Sequence, residues 1–411
     1  MSKPRALVIG GSLGGLLAAN LMRSIGWDAL VFERNAEDLL SRGAGIGTHP
    51  HLIEILRRIG IAFDESLGVK VSTVLCLDRA GDVVLQSPTV RTMSGWARLY
   101  RSLRDTLPAE AYRLGHTLAH VEQDDTRVTA VFTDSGRETG DLLIGADGIR
   151  STVRAQFLPD VQPSYAGYVA WRAMIEEGDI PEDLRAQIFE RYVFCLPKGE
   201  QFLGYPVPGG DNATTAGRRA YNIVWYRPAE WATTLVDLCT DARGRHHGTS
   251  IPPPLIRPEI IADIKATARA LLAPQLAEIF SRADPFFQPI FDLESPRMAF
   301  GQAVLLGDAA FVARPHIGAG VTKAALDAAS LADALRANDD LAAALARYER
   351  EQTSFGRGLV ALARAEGAYI SAQLKPPAER SMAERDRDAE SVMAAHHSLR
   401  EHVVRLAAER G

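Results

Sequence analysis

Six consecutive residues near the start, Gly10-Gly11-Ser12-Leu13-Gly14-Gly15, and a glutamate one helix and one strand later, Glu33, have types and spacing that specify chemistry. Glycines in such a turn let backbone approach a pyrophosphate. The N-terminus of the helix that follows supplies free N–H groups and the positive end of a dipole. Glu33 is placed to hydrogen-bond a ribose diol, and its charge disfavours a 2′-phosphate there. The pattern predicts a site for the ADP half of FAD or NAD. It departs from G-x-G-x-x-G at one place, where Ser12 stands for the middle glycine. A glycine-rich turn in an ordinary parallel sheet is the competing explanation.

The elements around that turn follow from periodicity. Ala6 to Ile9 reads as a buried parallel strand. Leu16 to Ile25 has helical spacing, and Ala29 to Phe32 is a second strand. Arg34 and the run Arg42-Gly43-Ala44-Gly45-Ile46-Gly47 come next, then a helix from Pro50 to about Ile59. Residues 69–90 read as two short strands around Ala80-Gly81-Asp82, and Trp96 to Leu107 as an amphipathic helix. Arg127 to Thr133 and Thr139 to Ile144 look like a hairpin. The second arm runs into Ala146-Asp147-Gly148 and a short helix begun by Ser151. Asp147 sits at a strand's C-terminal end, where open α/β sheets bind ligands; a junction capped by Ser151 is the alternative.

From Tyr165 to about Asp292 the texture becomes antiparallel, with Tyr168–Ile175, Tyr192–Leu196, Phe202–Val207 and Tyr221–Tyr226 as strands and Ile260–Phe280 as a helix. At Ala303 the first texture returns: a strand, then Gly307-Asp308-Ala309-Ala310, then Arg314-Pro315-His316-Ile317-Gly318-Ala319-Gly320 and a helix from about Val321 to Leu335. Leu341 to Ala368 is a further helix. The charged tail has helical spacing from Ser381 to Arg410 and is either a solvated helix or a subunit contact, as in a homodimer.

Composition narrows the classes. The 411 residues suggest two domains or one large divided one, and 46% hydrophobic content is ample for buried cores. A net charge of −5 without a long basic run argues against nucleic acid as a partner. Cys76, Cys195 and Cys239 are too far apart for a metal cluster or a disulfide framework, which fits a reducing compartment. No apolar run approaches the length of a membrane span, and the first strand starts too early for a signal peptide. The expectation is a cytoplasmic protein with no membrane partner.

Three segments together, Gly10–Glu33, Asp141–Arg154 and Gly307–Asp327, resemble the single-component flavoprotein monooxygenases of the para-hydroxybenzoate hydroxylase family, which carry these motifs in this order. The middle segment adds Tyr165-Ala166-Gly167-Tyr168-Val169-Ala170-Trp171-Arg172 and Tyr205-Pro206-Val207-Pro208-Gly209. With Arg314-Pro315-His316 these resemble the branch that hydroxylates dihydroxypyridines. The resemblance implies an α/β fold: an FAD-binding Rossmann-like domain of glutathione-reductase type, an inserted antiparallel β-sheet substrate domain and C-terminal helices. The expected division is FAD-binding domain 1–72, 93–160 and 293–365, strands 73–92 and sheet 161–292 for the substrate domain, and a helical tail 366–411.

Residue by residue, the resemblance gives Gly10, Ser12, Leu13, Gly14 and Gly15 the pyrophosphate, and Glu33, with Arg34 beside it, the adenosine ribose. Gly43 to Ile46, including Gly45, would pass along the flavin. Gly307 and Asp308 would reach its ribityl or pyrophosphate portion. Pro315, Gly318, Ala319 and Gly320 would lie against the pyrimidine edge, where a helix N-terminus stabilises the anionic reduced ring. Asp147 and Gly148 would serve FAD and NAD(P)H together. The chain departs from relatives at Phe311, where many have His, and at Thr322, where many have Asn. Relatives also send an Arg to the flavin phosphates from near position 100. Here Trp96 holds that place, and Arg98 is the nearest candidate, with Arg101 beside it; solvated helix arginines are the alternative.

The implied reaction uses NAD(P)H, O2 and a small aromatic substrate, with a flavin C4a-hydroperoxide attacked by an electron-rich ring. The protein then needs a dry pocket and a group that takes a ring proton. His316, His49, Arg172 and Tyr205 are the candidates. A histidine suits a base at neutral pH; either one is also explicable as a hydrogen-bonded loop residue. Arg172 fits an anionic substrate or the peroxide, or pairing with a carboxylate. Tyr168, Trp171 and Tyr205 fit the pocket or simple packing. The expected substrate is a hydroxylated N-heteroaromatic ring. A phenolic or polyketide-like ring and an FAD-linked reductase are the alternatives. A halogenase lacks its Trp-x-Trp-x-Ile-Pro stretch here, and the Asp-Gly and Gly-Asp motifs argue against a plain NAD-dependent dehydrogenase.

Overall fold

The computed structural model describes residues 3–39, 45–62, 67–381 and 388–409. Gly43 and Ala44 of the glycine-rich flavin loop therefore lie outside the described residues.

In chain order the first half contains β1 (Arg5–Ile9), α1 (Leu13–Ser24), β2 (Asp28–Phe32), β3 (Gly45–Gly47), α2 (Pro50–Arg58), β4 (Gly68–Leu77), β5 (Val83–Gly95) and α3 (Trp96–Asp105). It continues with β6 (Tyr112–Arg113), β7 (Leu118–Gln123), β8 (Val128–Phe132), β9 (Arg137–Gly140), β10 (Leu142–Gly145) and α4 (Thr152–Phe157). The second half runs through β11 (Ser164–Glu176), α5 (Glu182–Ile188), β12 (Arg191–Cys195), β13 (Gln201–Val207), β14 (Ala220–Pro228), α6 (Val236–Leu238), α7 (Pro258–Leu271) and α8 (Pro274–Arg282). It closes with β15 (Phe286–Glu294), β16 (Ala299–Phe300), β17 (Ala303–Leu305), β18 (Phe311–Val312), α9 (Gly320–Ala337), α10 (Leu341–Ser371) and α11 (Ala389–Ala408).

A six-stranded sheet, in the order β16-β17-β10-β1-β2-β6, forms the nucleotide-binding half. Its central strands are continuous apolar runs because helices cover both faces. Ala6, Leu7 and Val8 of β1 are fully buried, as are Leu142, Leu143 and Ile144 of β10. β1 pairs in parallel with both β2 and β10, and β10 with β17. The C-terminal ends of β1, β10 and β17 therefore converge, which brings Gly10, Asp147 and Gly307 to one edge from three distant parts of the chain.

A nine-stranded sheet, β18-β15-β11-β14-β13-β12-β4-β5-β3, forms the other half. It is antiparallel except between β12 and β4, which run parallel. The expected boundaries at 72/73 and 92/93 cut through β4 and β5. The β4–β5 ladder runs past both points, with a register shift between Val71 and Thr73 and regular pairing at Thr92 and Met93. β3 and β18, expected in the nucleotide-binding part, are edge strands of this sheet.

Other expectations are corrected locally. The arm Thr139 to Ile144 is two strands, not one. β9 pairs with β8, and the chain then turns at Asp141, whose Oδ2 accepts the Arg5 amide at 2.7 Å, before β10 enters the parallel sheet. Ile260–Phe280 is broken into α7 and α8 because Pro274 forces the preceding residue out of helical geometry; Ala273 is extended at ψ 140°. The helix expected to end near Ala368 continues to Ser371. Within the described part of the tail, α11 is not a solvated helix. Val392, Met393, Leu399, Val403 and Ala407 are buried against the same chain, where α11 packs on α10 and β5.

Candidate active site

At the convergent strand ends the turn is bare of side chains for a steric reason. Gly10 has φ +106°, and a Cβ there would stand 2.4 Å from the Ala146 carbonyl oxygen. A Cβ on Gly15 would stand 1.9 Å from the carbonyl oxygen of Gly10 itself. At Gly14 a Cβ would make only ordinary contact, 3.5 Å from Ala324 Cβ on α9. Leu13 is buried in the core at the first position of α1, and Ser12 precedes it in extended conformation with no side-chain capping bond. Gly10, Ser12, Glu33, exposed Arg34, Trp96 and Asp147 line one cavity.

Glu33 is buried, and its Oε2 accepts the Gly11 amide at 2.8 Å. Its Oε1 accepts the Asn35 amide at 3.0 Å and the Asn35 side chain. The carboxylate is thus fixed in orientation before any diol arrives. Asp147 is tied down likewise: Oδ1 accepts Ser151 Oγ at 2.5 Å, and Oδ2 accepts the Thr152 and Val153 amides at 2.7 and 3.3 Å. Burial pushes its carboxyl up, against these donors. Ser151 caps the helix as well, its Oγ accepting from the Arg154 amide. Asp147 thus lines the cavity and also holds the start of α4.

Arg98 reaches the substrate sheet. Its Nη1 donates to the Asn212 carbonyl at 3.1 Å, joining α3 to the β13–β14 connection, and Trp96 stacks on Tyr100 at the cavity wall. Arg101 is exposed.

A second cavity of about 330 Å³ lies between the two sheets. It gathers Gly45, Ile46, His49, Arg172, Tyr205, Asp308, Pro315, His316, Gly318, Ala319 and Gly320. Every catalytic candidate read from the sequence is thus on one wall or another of a single space. Gly318 turns the chain with φ +58°, which starts α9 at Gly320 and leaves its N-terminal amides at the cavity. Such a terminus favours negative charge. Gly307, at φ +64°, is held by its own amide to Asp327 Oδ2 at 2.9 Å, which leaves Asp308 exposed to the cavity.

Opposite the helix terminus the sheet presents phenols. Tyr192 and Tyr205 stack with centroids 4.9 Å apart, and Tyr226 packs 4.2 Å from the His316 ring. Burial pushes all three hydroxyls up, so they stay protonated, each with an O–H to offer. The Arg172 guanidinium acts in the opposite sense on Tyr205 and Tyr226, which places its positive charge near both. Among the described residues Arg172 has long contacts only to amide oxygens, Gln288 at 3.4 Å and Asn222 at 3.3 Å. His49 is buried at the start of α2. His316 Nε2 shares a hydrogen bond with Tyr168 at 2.6 Å.

Several residues that shape the site carried no readable signal. Lys323 and Asp327 are buried one helical turn apart, and Lys323 Nζ also donates to the Gly307 carbonyl at 2.9 Å. Arg154 reaches across to the Ala309 carbonyl at 3.0 Å, linking the Asp-Gly segment to the Gly-Asp segment. Tyr192, Tyr226 and His396 line the second cavity. Phe311, where relatives have His, is core: a Cβ on Gly356 would lie 2.5 Å from its ring.

Comparison with known proteins agrees with this geometry. Residues 3–180 match the family model described as FAD binding domain, and residues 165–292 one described as FAD binding domain-like. The chain is 31% identical over 353 residues to 2,6-dihydroxypyridine 3-monooxygenase of Paenarthrobacter nicotinovorans, covering 86% of this chain and 88% of that one. It belongs to the FAD-dependent aromatic hydroxylases. Another member, 6-hydroxynicotinate 3-monooxygenase of Pseudomonas fluorescens, is 28% identical over 365 residues, covering 85% and 88%. The solved structure of 2,6-dihydroxypyridine-3-hydroxylase from Arthrobacter nicotinovorans superposes with a TM-score of 0.84 at 28% identity, covering 94% of this chain and 99% of that one. This aromatic hydroxylase thus has FAD as its cofactor, and the bare Gly10 turn with Glu33 beyond it fits the ADP half. Among the described residues no His/Cys/Asp/Glu group could hold a metal, and no helix is long and apolar enough to cross a membrane.

Proposed function

We propose that this hydroxylase adds one oxygen atom to a hydroxylated N-heteroaromatic ring of hydroxypyridine type, using NAD(P)H and O2. The observation that carries the reading is Arg172, a cavity-lining guanidinium with only long contacts to amide oxygens, beside phenols held as donors. That lining suits an acidic ring bound as its anion. Ring deprotonation also pushes electrons toward the carbon to be oxygenated. FAD, once reduced, supplies the activated oxygen.

The remaining roles belong to the chain. Gly10 to Gly15 and Glu33 hold the ADP portion, and Asp308 faces the linker. Gly45, Ile46 and the Gly318–Gly320 loop would hold the flavin ring, and the α9 terminus would favour negative charge there. His316 and His49 are the groups placed to take a ring proton. Tyr205 and Tyr226 orient the anion with Arg172. A cavity of about 330 Å³ is at the small end of ligand pockets, roughly 300–1,000 Å³. With the flavin-holding loop Gly318–Gly320 on its wall, that volume suits a single ring better than a polyketide-like one. The three free, buried cysteines suit a reducing cytoplasm.

The test is a screen of NAD(P)H oxidation by the FAD-loaded protein across hydroxypyridines and phenols. Stimulation by 2,6-dihydroxypyridine is expected, with Arg172→Gln weakening the apparent affinity by roughly 10-fold or more, as for a lost charge-assisted hydrogen bond. Stimulation by simple phenols alone would reject the N-heteroaromatic assignment.

A further inference from the structure

The C-terminal helix α11 delivers a polar group to the ring cavity that none of the motifs accounts for. His396 is 6% exposed, lines the cavity, and its Nε2 is buried with no hydrogen-bond partner among the described residues. Its imidazole is held in place from two sides. The ring lies 4.7 Å from that of Tyr192 and edge-on to Phe194 at 5.2 Å. The helix is pinned to β5: Arg91 Nη2 donates to the His396 carbonyl at 2.9 Å, and the neighbouring His397 Nε2 shares a hydrogen bond with Ser87 Oγ at 3.1 Å. The side chain is therefore oriented before any ligand arrives, and its unpaired nitrogen is unfavourable until something meets it.

We propose that His396 is a substrate-binding residue: its Nε2 pairs with a hydroxyl or ring nitrogen at the edge of the bound aromatic ring. The proposal rests on the reading of the cavity as the ring site and names a contact within it. Burial, aided by the positive charge of Arg91 and by His397, keeps the imidazole neutral, so it offers one hydrogen bond without adding charge. Arg172 then meets the anionic part of the ring, and His396 reads a second polar position. The tail of the chain, beyond the flavin motifs, becomes part of substrate selection.

The experiment titrates the full-length, FAD-loaded protein with 2,6-dihydroxypyridine and with resorcinol, which keeps both hydroxyls and lacks the ring nitrogen. Binding is read from the flavin absorbance change. Three variants are compared: His396→Phe, which keeps an aromatic ring; His396→Gln, whose amide reaches the Nε2 position; and His396→Asn, whose amide does not. Phe and Asn are expected to weaken 2,6-dihydroxypyridine binding about tenfold or more, the scale of one lost hydrogen bond. Gln is expected to stay within about threefold. Flavin content and melting temperature serve as the folding control. A loss confined to 2,6-dihydroxypyridine assigns the contact to the ring nitrogen, and a loss shared with resorcinol assigns it to a hydroxyl. Wild-type affinity in all three variants, or equal weakening by Gln and Asn, overturns the proposal. No absorbance change with either ring in the wild type overturns the ring-site reading as well.

Discussion

Tyr168 Oη and His316 Nε2 meet at 2.6 Å, and this hydrogen bond joins a strand of the substrate sheet to the loop that starts α9. The pair fixes which nitrogen of His316 is engaged. Tyr226, 4.2 Å away, fixes the plane of the ring. His316→Ala is expected to keep FAD while raising uncoupled peroxide release or lowering turnover. Tyr168→Phe should cost about 1 kcal/mol of stability and reproduce part of that uncoupling. Thermal unfolding and peroxide assays check both. Unchanged coupled hydroxylation in His316→Ala would remove it from the reaction.

Gly15 was expected to be small for the sake of a pyrophosphate. Its Cβ position lies 1.9 Å from the Gly10 carbonyl oxygen, so the turn's own backbone already requires glycine. Gly15→Ala, and more so Gly15→Val, is therefore expected to lower both flavin content and apo-protein stability. Full flavin content in Gly15→Val would count against the nucleotide turn.

The buried Lys323–Asp327 pair, at 2% and 0% exposure, holds both the amide and the carbonyl of Gly307. Removing one partner leaves a buried charge, so Lys323→Met is expected to destabilise by about 3–5 kcal/mol and to release flavin. Lys323→Met with Asp327→Leu should recover part of the loss. Urea unfolding of the single and double variants checks the order.

The outline of the fold was legible because buried parallel strands write themselves as apolar runs. Ala6–Ile9, Ala29–Phe32 and Val304–Leu306 need no long-range information. The positions of the turn glycines, Glu33, Asp147, Asp308 and Gly318 at strand and helix ends were legible because those ends are set by local sequence. What was not legible is pairing at a distance. Asp141 reads as mid-strand until Arg5 offers it an amide, and nothing in the sequence of α3 shows that the Arg98 guanidinium reaches the Asn212 carbonyl. The charged tail reads as solvated because its apolar residues are sparse. They become a packing stripe only when α10 and β5 are there to receive them.

Burial drives the His396 imidazole well below its ordinary value near 6.5, and the charges of Arg91 and His397 add to this. The folded-state value lies under the unfolded one, so protonation favours unfolding. The contribution is intact above about pH 6.5 and is lost as pH falls toward the folded value. Melting temperatures of wild type should therefore fall more steeply between pH 7 and 5 than those of His396→Phe. Parallel curves would show that the imidazole is not desolvated.

One atom of dioxygen is expected to enter a hydroxypyridine ring at this cavity. The direct measurement supplies isotopically labelled O2, NAD(P)H and 2,6-dihydroxypyridine to the FAD-loaded protein and weighs the product. The account predicts a ring product carrying one labelled oxygen atom, formed with one NAD(P)H consumed. NAD(P)H consumption with no label in any ring product, or no consumption when the ring is added, would contradict it.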